Sequence, residues 1–118
     1  MDTMEHSEFQ KAQSFTLVEC IEYVPMSIVI KTIIKKITGN VSVVSFDSGE
    51  ALSRKILRFD TFIQIIDGMA EVQIDHKSHL LETGESIIIP AHSNSTIKAN
   101  VRFKMLSTII KSGYEELS

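Results

Sequence analysis

The sequence predicts an all-β fold, a sandwich or a barrel, and three observations carry that reading. Short runs rich in Ile, Val and Thr recur along most of the chain, at residues 28–37, 41–46, 61–67 and 103–110 among others. Turn chemistry separates them every several residues: Thr38-Gly39-Asn40, Asp47-Ser48-Gly49, Asp67-Gly68 and Thr83-Gly84. Apolar spacing of helical period is nearly absent, as are internal repeats and linkers. Many short strands with regular turn signals characterise sandwiches and barrels.

Taken in order, residues 1–14 read as a flexible polar lead with a helical turn around 6–12. Residues 15–18 form either a short strand or a cover that lays Phe15 and Leu17 on another surface. A brief helical turn at 20–23 precedes Pro25. Residues 28–37 and 41–46 form a hairpin around Gly39. In its first arm Ile30, Ile33 and Ile34 mix with Lys31, Lys35 and Lys36, a broken alternation that predicts a bulge or burial on both faces. Residues 52–57 make a strand with a polar side at Ser53 and Lys55, and 58–60 a bend.

Residues 61–67 and 69–75 read as the arms of a central hairpin turning at Asp67-Gly68, because glycine accepts the positive φ of a tight turn. In the second arm Ala70, Val72 and Ile74 alternate with Glu71, Gln73 and Asp75, giving one core face and one solvent face. After a turn at 76–78 come a strand at 79–82, a turn at Thr83-Gly84 and a strand at 86–89 stopped by Pro90. A loop at 91–94, strands at 96–99 and 103–110 and a polar tail at 111–118 complete the chain.

With 118 residues, 43% of them hydrophobic, the chain suffices for one domain with a real core, residues 15–118 after the lead. A net charge of −3 argues against a nucleic-acid backbone as partner. The single Cys20 has no internal disulfide partner and is expected to act as a small hydrophobe in a reducing compartment. No signal-peptide core and no apolar run of roughly 20 residues is present, so a cytoplasmic protein without membrane contact is expected.

Two spacings bear on family. Gly49 and Gly68 bracket residues 55, 57 and 61, and Gly84 and Pro90 precede residue 95. In these positions the chain resembles the cupins, small double-stranded β-helix (jelly-roll) barrels of the RmlC-like type. The first cupin motif runs glycine, five residues, His-x-His, three residues, Glu, six residues, glycine. The second runs glycine, five residues, proline, x, glycine, two residues, His, three residues, Asn. The resemblance covers residues 28–111 and implies the barrel fold. It does not bring the metal chemistry. The two histidine positions of the first motif are Lys55 and Leu57, the Glu position is Thr61 and the last histidine position is Ser95. His92 stands where the second motif has its inner glycine, and Ala99 where it has Asn. No divalent-metal site, and no cofactor, is expected from such a set, since an ammonium repels a cation and the others are poor ligands.

The motif register implies that Lys55 enters the barrel where a metal would sit. One reading is an anion pocket, with Ser53, Thr61, Gln64, His92 or Ser95 supplying hydrogen bonds. The other is a structural lysine that snorkels to the mouth or pairs with Asp60 or Glu50. His6, His76 and His79 read as solvent-facing, and His92 as a mouth-loop residue. The leading functional reading is therefore a metal-free module that binds a small molecule, an anion in particular, or a protein partner, without catalysis. The barrel interior or mouth, at Lys55, Leu57, Thr61, Gln64, His92 and Ser95, is its candidate site. The alternatives are a metal-dependent dioxygenase or isomerase rearranged around His92, and a free-standing sensor domain. Strands apolar on both faces, such as 87–89, predict a homodimer, with the segment around 15–23 covering one face within the chain or across the dimer.

Overall fold

The computed structural model describes residues 8–54 and 57–113. A 3-10 turn at Leu17–Glu19 precedes β1 (Ile28–Lys36), β2 (Gly39–Phe46), β3 (Ala51–Arg54), β4 (Thr61–Ile74), β5 (Lys77–Glu82), β6 (Ser86–Ile89), β7 (Ser95–Lys98) and β8 (Phe103–Ile110). All pairings are antiparallel, in the order β1-β2-β8-β4-β7-β3, with β5 and β6 also paired to β4. The result is an all-β curled sheet whose concave side is the core. No helix among the described residues is long and apolar enough to cross a membrane.

The hairpin predicted at Asp67-Gly68 does not form. Residues 61–74 are one strand, β4, and its two halves face different partners: Thr61–Gln64 pair with β6, and Met69–Ile74 with β5. Gly68 has the positive φ the sequence implied, +82°, but there the strand bends from one side of the barrel to the other instead of reversing. A Cβ at this position would lie 2.3 Å from Arg102 O, so β8 approaches as closely as only glycine allows. The pairing with β8 slips between Ile65 and Asp67, where the bend is made.

The β1–β2 hairpin is as the sequence predicts, including a bulge between Thr32 and Ile34. That bulge turns Ile33 onto the outer face of the sheet, where it is buried. Residues 15–18 form no strand; Leu17 starts the 3-10 turn. From Glu8 onward the lead is tied to β1, with Phe9 N donating to Ile33 O at 3.0 Å and Glu8 accepting from Lys35 N.

Alternation along each strand sets up two apolar clusters. The inner one is built on Phe46, Ile63, Ile65, Val72 and Phe103, with Phe46 and Phe103 stacked at 4.5 Å between centroids. The outer one joins Ile33 and Val43 to Ile21, with Phe9, Leu17 and Cys20 packed against it. The N-terminal segment thus covers part of the outer face within the same chain. Cys20 is a half-buried free thiol whose Sγ donates to Leu17 O, and burial pushes its pKa up, away from thiolate chemistry.

Candidate functional site

The inner face converges on a cavity of about 10 Å³ between the two sides of the barrel. β4 contributes Thr61 and Ile63, β6 contributes Ile89, and β8 contributes Met105 and Ser107. From the opposite side come Arg54 of β3, Ser95 and Ile97 of β7, and Leu57. No Asp, Glu or His is among these lining residues. At the same end the neighbouring loops are laced together. Leu57 N donates to Ser93 O at 3.0 Å, His92 N to Leu57 O, and Ala91 N to Asp60 Oδ1 at 2.8 Å.

Three of the six candidate residues, Leu57, Thr61 and Ser95, meet in this cavity. Lys55 lies outside the described residues. Gln64 is on the other face: on β4 it alternates with the inward Ile63 and Ile65, and it sits opposite Ser86 and Leu106. The interior placement expected for it is corrected by that period of two. His92 is exposed in the loop, with φ of +68°, and does not line the cavity. Ser53 also faces outward, its hydroxyl 3.2 Å from that of Thr96.

Arg54 is not among the residues the motif spacing singles out, yet it is the charged residue among the cavity's lining. A signal for it exists in strand parity: Leu52 packs against the inner core, so residue 54, two positions on, shares that face while Ser53 takes the other. Arg54 stands opposite Ser95 in the β3–β7 ladder. Among the described residues no carboxylate pairs with its guanidinium.

Buried hydroxyls sharpen the picture. Of the buried polar residues, Ser45 donates to Glu22 O at 2.8 Å and Ser93 to Pro90 O at 2.6 Å. Thr61 and Ser95, each only 5% exposed, have no hydrogen-bond partner for their hydroxyls among the described residues, and both line the cavity. Buried hydroxyls are ordinarily satisfied, so a pair left open toward one cavity calls for an occupant.

The cupin-type metal does not fit these residues. Positions 57, 61 and 95 offer an aliphatic side chain and two neutral hydroxyls, and the permanently charged Arg54 in the same lining would repel a divalent cation. Nor is there a group of three or more His, Cys, Asp or Glu with metal-binding geometry among the described residues.

No protein-family model and no curated protein matches the chain. Solved structures do. A conserved protein of unknown function from Streptococcus pyogenes aligns with a TM-score of 0.82 at 22% identity, over 89% of this chain and 92% of its own. A cupin superfamily protein from Desulfitobacterium hafniense aligns with a TM-score of 0.80 at 23% identity, over 88% and 95%. A cupin 2 conserved barrel domain protein from Leptotrichia buccalis aligns with a TM-score of 0.78 at 30% identity, over 82% of this chain and 47% of that one, so this chain spans about half its length. With its curled antiparallel sheet matching these barrels over more than four-fifths of its length, this chain is a small cupin-fold protein.

Proposed function

We propose that the chain is a metal-free, cytoplasmic, homodimeric cupin that binds a small molecule in its interior and carries out no catalysis of its own. The observation that carries this is the composition of the cavity wall. Where a metal-holding barrel needs imidazoles and a carboxylate, this one has Leu57, Thr61 and Ser95, with Arg54 adding a permanent positive charge. The lone, half-buried Cys20 suits a reducing compartment.

The dimer is supported by the outer face. Ile88, Phe62 and Ile34 lie along one row across the sheet, Ile88 opposite Phe62, Phe62 opposite Thr108, Thr108 opposite Val41 and Val41 opposite Ile34. All three are exposed, as is Ile110 two residues beyond Thr108, while the neighbouring Val43 and Ile33 lie under the N-terminal segment. An apolar row continuous with a covered one is the kind of surface that a second copy buries.

Elemental analysis of untagged protein tests the metal-free reading, with the Lys55→His/Leu57→His/Thr61→Glu/Ser95→His variant as positive control. Metal in the variant alone is the expected result. Near-stoichiometric iron, nickel, manganese or zinc in the natural protein overturns it and directs attention to oxidative chemistry around His92.

A further inference from the structure

The outer face of the barrel is stepped. β1, β2, β8, β4 and β6 lie side by side in it, in that order. The N-terminal segment raises the β1 side: Phe9, Leu17 and Ile21 cluster with Ile33, Val43 and Leu106, and the cluster extends to Ile66 of β4. Phe62 of β4 and Ile88 of β6 lie outside this cluster and are exposed. On the raised side Phe9 and Phe15 meet edge to face at 4.8 Å between centroids, and Phe15 is 47% exposed. With Gln10, Gln13 and Ser14 they border a groove of about 230 Å³, room for an aliphatic side chain. The bond from Phe9 N to Ile33 O sets this groove beside β1, near the level of Ile34. Charge follows the same step. Residues 8–14 and β1 carry Lys11, Lys31, Lys35 and Lys36 against a single acid, Glu8. At the β6 side Glu82 and Glu85 precede the strand, and no Lys or Arg occurs between Lys77 and Lys98.

Sheets packed face to face keep their strands nearly aligned, so a second copy has two ways to sit on this surface. A two-fold axis across the strands sets β1 on β1 of the partner. Raised segment then meets raised segment, lysines meet lysines, and Phe62 and Ile88 stay open. An axis along the strands, over the central β8, sets β1 on β6 of the partner and keeps every residue at its own level. We propose that a second copy docks in this second way, each N-terminal segment filling the low β4–β6 side of its partner. The proposal rests on the homodimer reading and gives that dimer its axis and its contacts. Ile34 lies over the partner's Ile88, and the same aliphatic side chain enters the groove between Phe9 and Phe15. The basic β1 side faces the partner's Glu82 and Glu85, so opposite charges rim the apolar contact. Each contact is made twice, as a two-fold interface requires.

The experiment joins thiols across the dimer with bismaleimidoethane, a short linker, in the full chain carrying Cys20→Ser. Ile34→Cys and Ile88→Cys are treated singly and combined in one chain. Within a chain the two positions lie four strand spacings apart, about 19 Å, beyond the linker's reach. Covalent dimer from the combined variant is expected, at about ten times or more the yield of either single variant. Ile34→Cys that links to itself as readily as the combined variant overturns the proposal in favour of β1 on β1. Protein that sediments as a dimer but links in none of the three overturns the docking surface and leaves the homodimer standing. Natural protein that sediments as a monomer removes the homodimer and the proposal together. Phe15→Glu is expected to raise the dimer dissociation constant about tenfold or more, with Phe15→Leu within about threefold of the natural protein. An unchanged constant for Phe15→Glu overturns the part given to the N-terminal segment.

Discussion

Tyr23 donates its phenolic hydrogen to Asp67 Oδ2 at 2.5 Å, across 44 residues of sequence, and so fastens the N-terminal segment to the bend of β4. The ring also carries Arg102 at 4.5 Å and Lys104 Nζ at 5.0 Å from its centroid. Tyr23→Phe keeps the ring and removes the donor. The expected loss is about 1–2 kcal/mol, the order of a hydrogen bond to a charged group in a partly solvated setting. Urea unfolding of the two proteins measures it, and equal midpoints would count against the contact as a fastening.

The same bond predicts an alkaline limit. Burial first, then the hydrogen bond and charge of Asp67, push the Tyr23 phenol well above its ordinary range. A folded-state value above the unfolded one means that the contribution is complete below about pH 10 and is lost as pH rises beyond it. Stability of the natural protein therefore falls more steeply above about pH 10 than that of Tyr23→Phe. Parallel pH profiles for the two would remove the linkage.

Glycines 68 and 49 separate strain from collision. Both have positive φ, +82° and +89°, but a Cβ at Gly68 meets backbone at 2.3 Å while one at Gly49 meets nothing within 4 Å. Gly49→Ala is expected to lose about 1–2 kcal/mol from left-handed backbone alone. Gly68→Ala adds a backbone clash in the strand that links both sides of the barrel, and about 3 kcal/mol or more is expected, up to failure to fold. Thermal unfolding of the pair gives the ordering directly.

Thr61→Val should act in opposite directions on stability and binding. It replaces a buried hydroxyl that has no partner among the described residues by a methyl group of nearly equal volume, so the ligand-free protein is expected to gain up to about 1 kcal/mol. Ligand affinity falls in the same variant. A destabilised Thr61→Val protein in anion-free buffer would mean that the hydroxyl is already satisfied.

Phe62→Glu and Ile88→Glu place charges in the exposed row of the outer face. If that row is the dimer interface, each variant sediments as a monomer with an intact fold, whereas Leu80→Glu, exposed on β5 of the other side, leaves the dimer unchanged. Natural protein that sediments as a monomer at all concentrations would end the dimer proposal.

Much of the fold is legible in local chemistry alone. The strands at 86–89 and 103–110, the β1–β2 hairpin and its bulge follow from β-branched runs, turn residues and broken alternation, all properties of neighbouring residues. Asp67-Gly68 is the instructive failure. The need for a positive φ is readable there, but whether that φ reverses the chain or bends it depends on which strands lie alongside, and β6, β8, β5 and β7 are all far from it in sequence or beyond it in the chain.

The candidate site divides in the same way. Glycine and proline spacing placed Leu57, Thr61 and Ser95 around one cavity, because the motif encodes barrel geometry whatever side chains it carries. Gln64 lies on the opposite face from that reading, and Arg54, which the spacing does not single out, is on the inner one, since inward or outward direction follows strand parity, and parity is set by the inner core that Leu52, Ile63 and Ile65 pack against. The amino-acid order alone determined an all-β chain with the cupin framework and without its metal ligands. Folding determined that an arginine and two hydroxyls without partners among the described residues share one small apolar-walled space, because that meeting joins strands far apart in the chain, which only long-range pairing brings together.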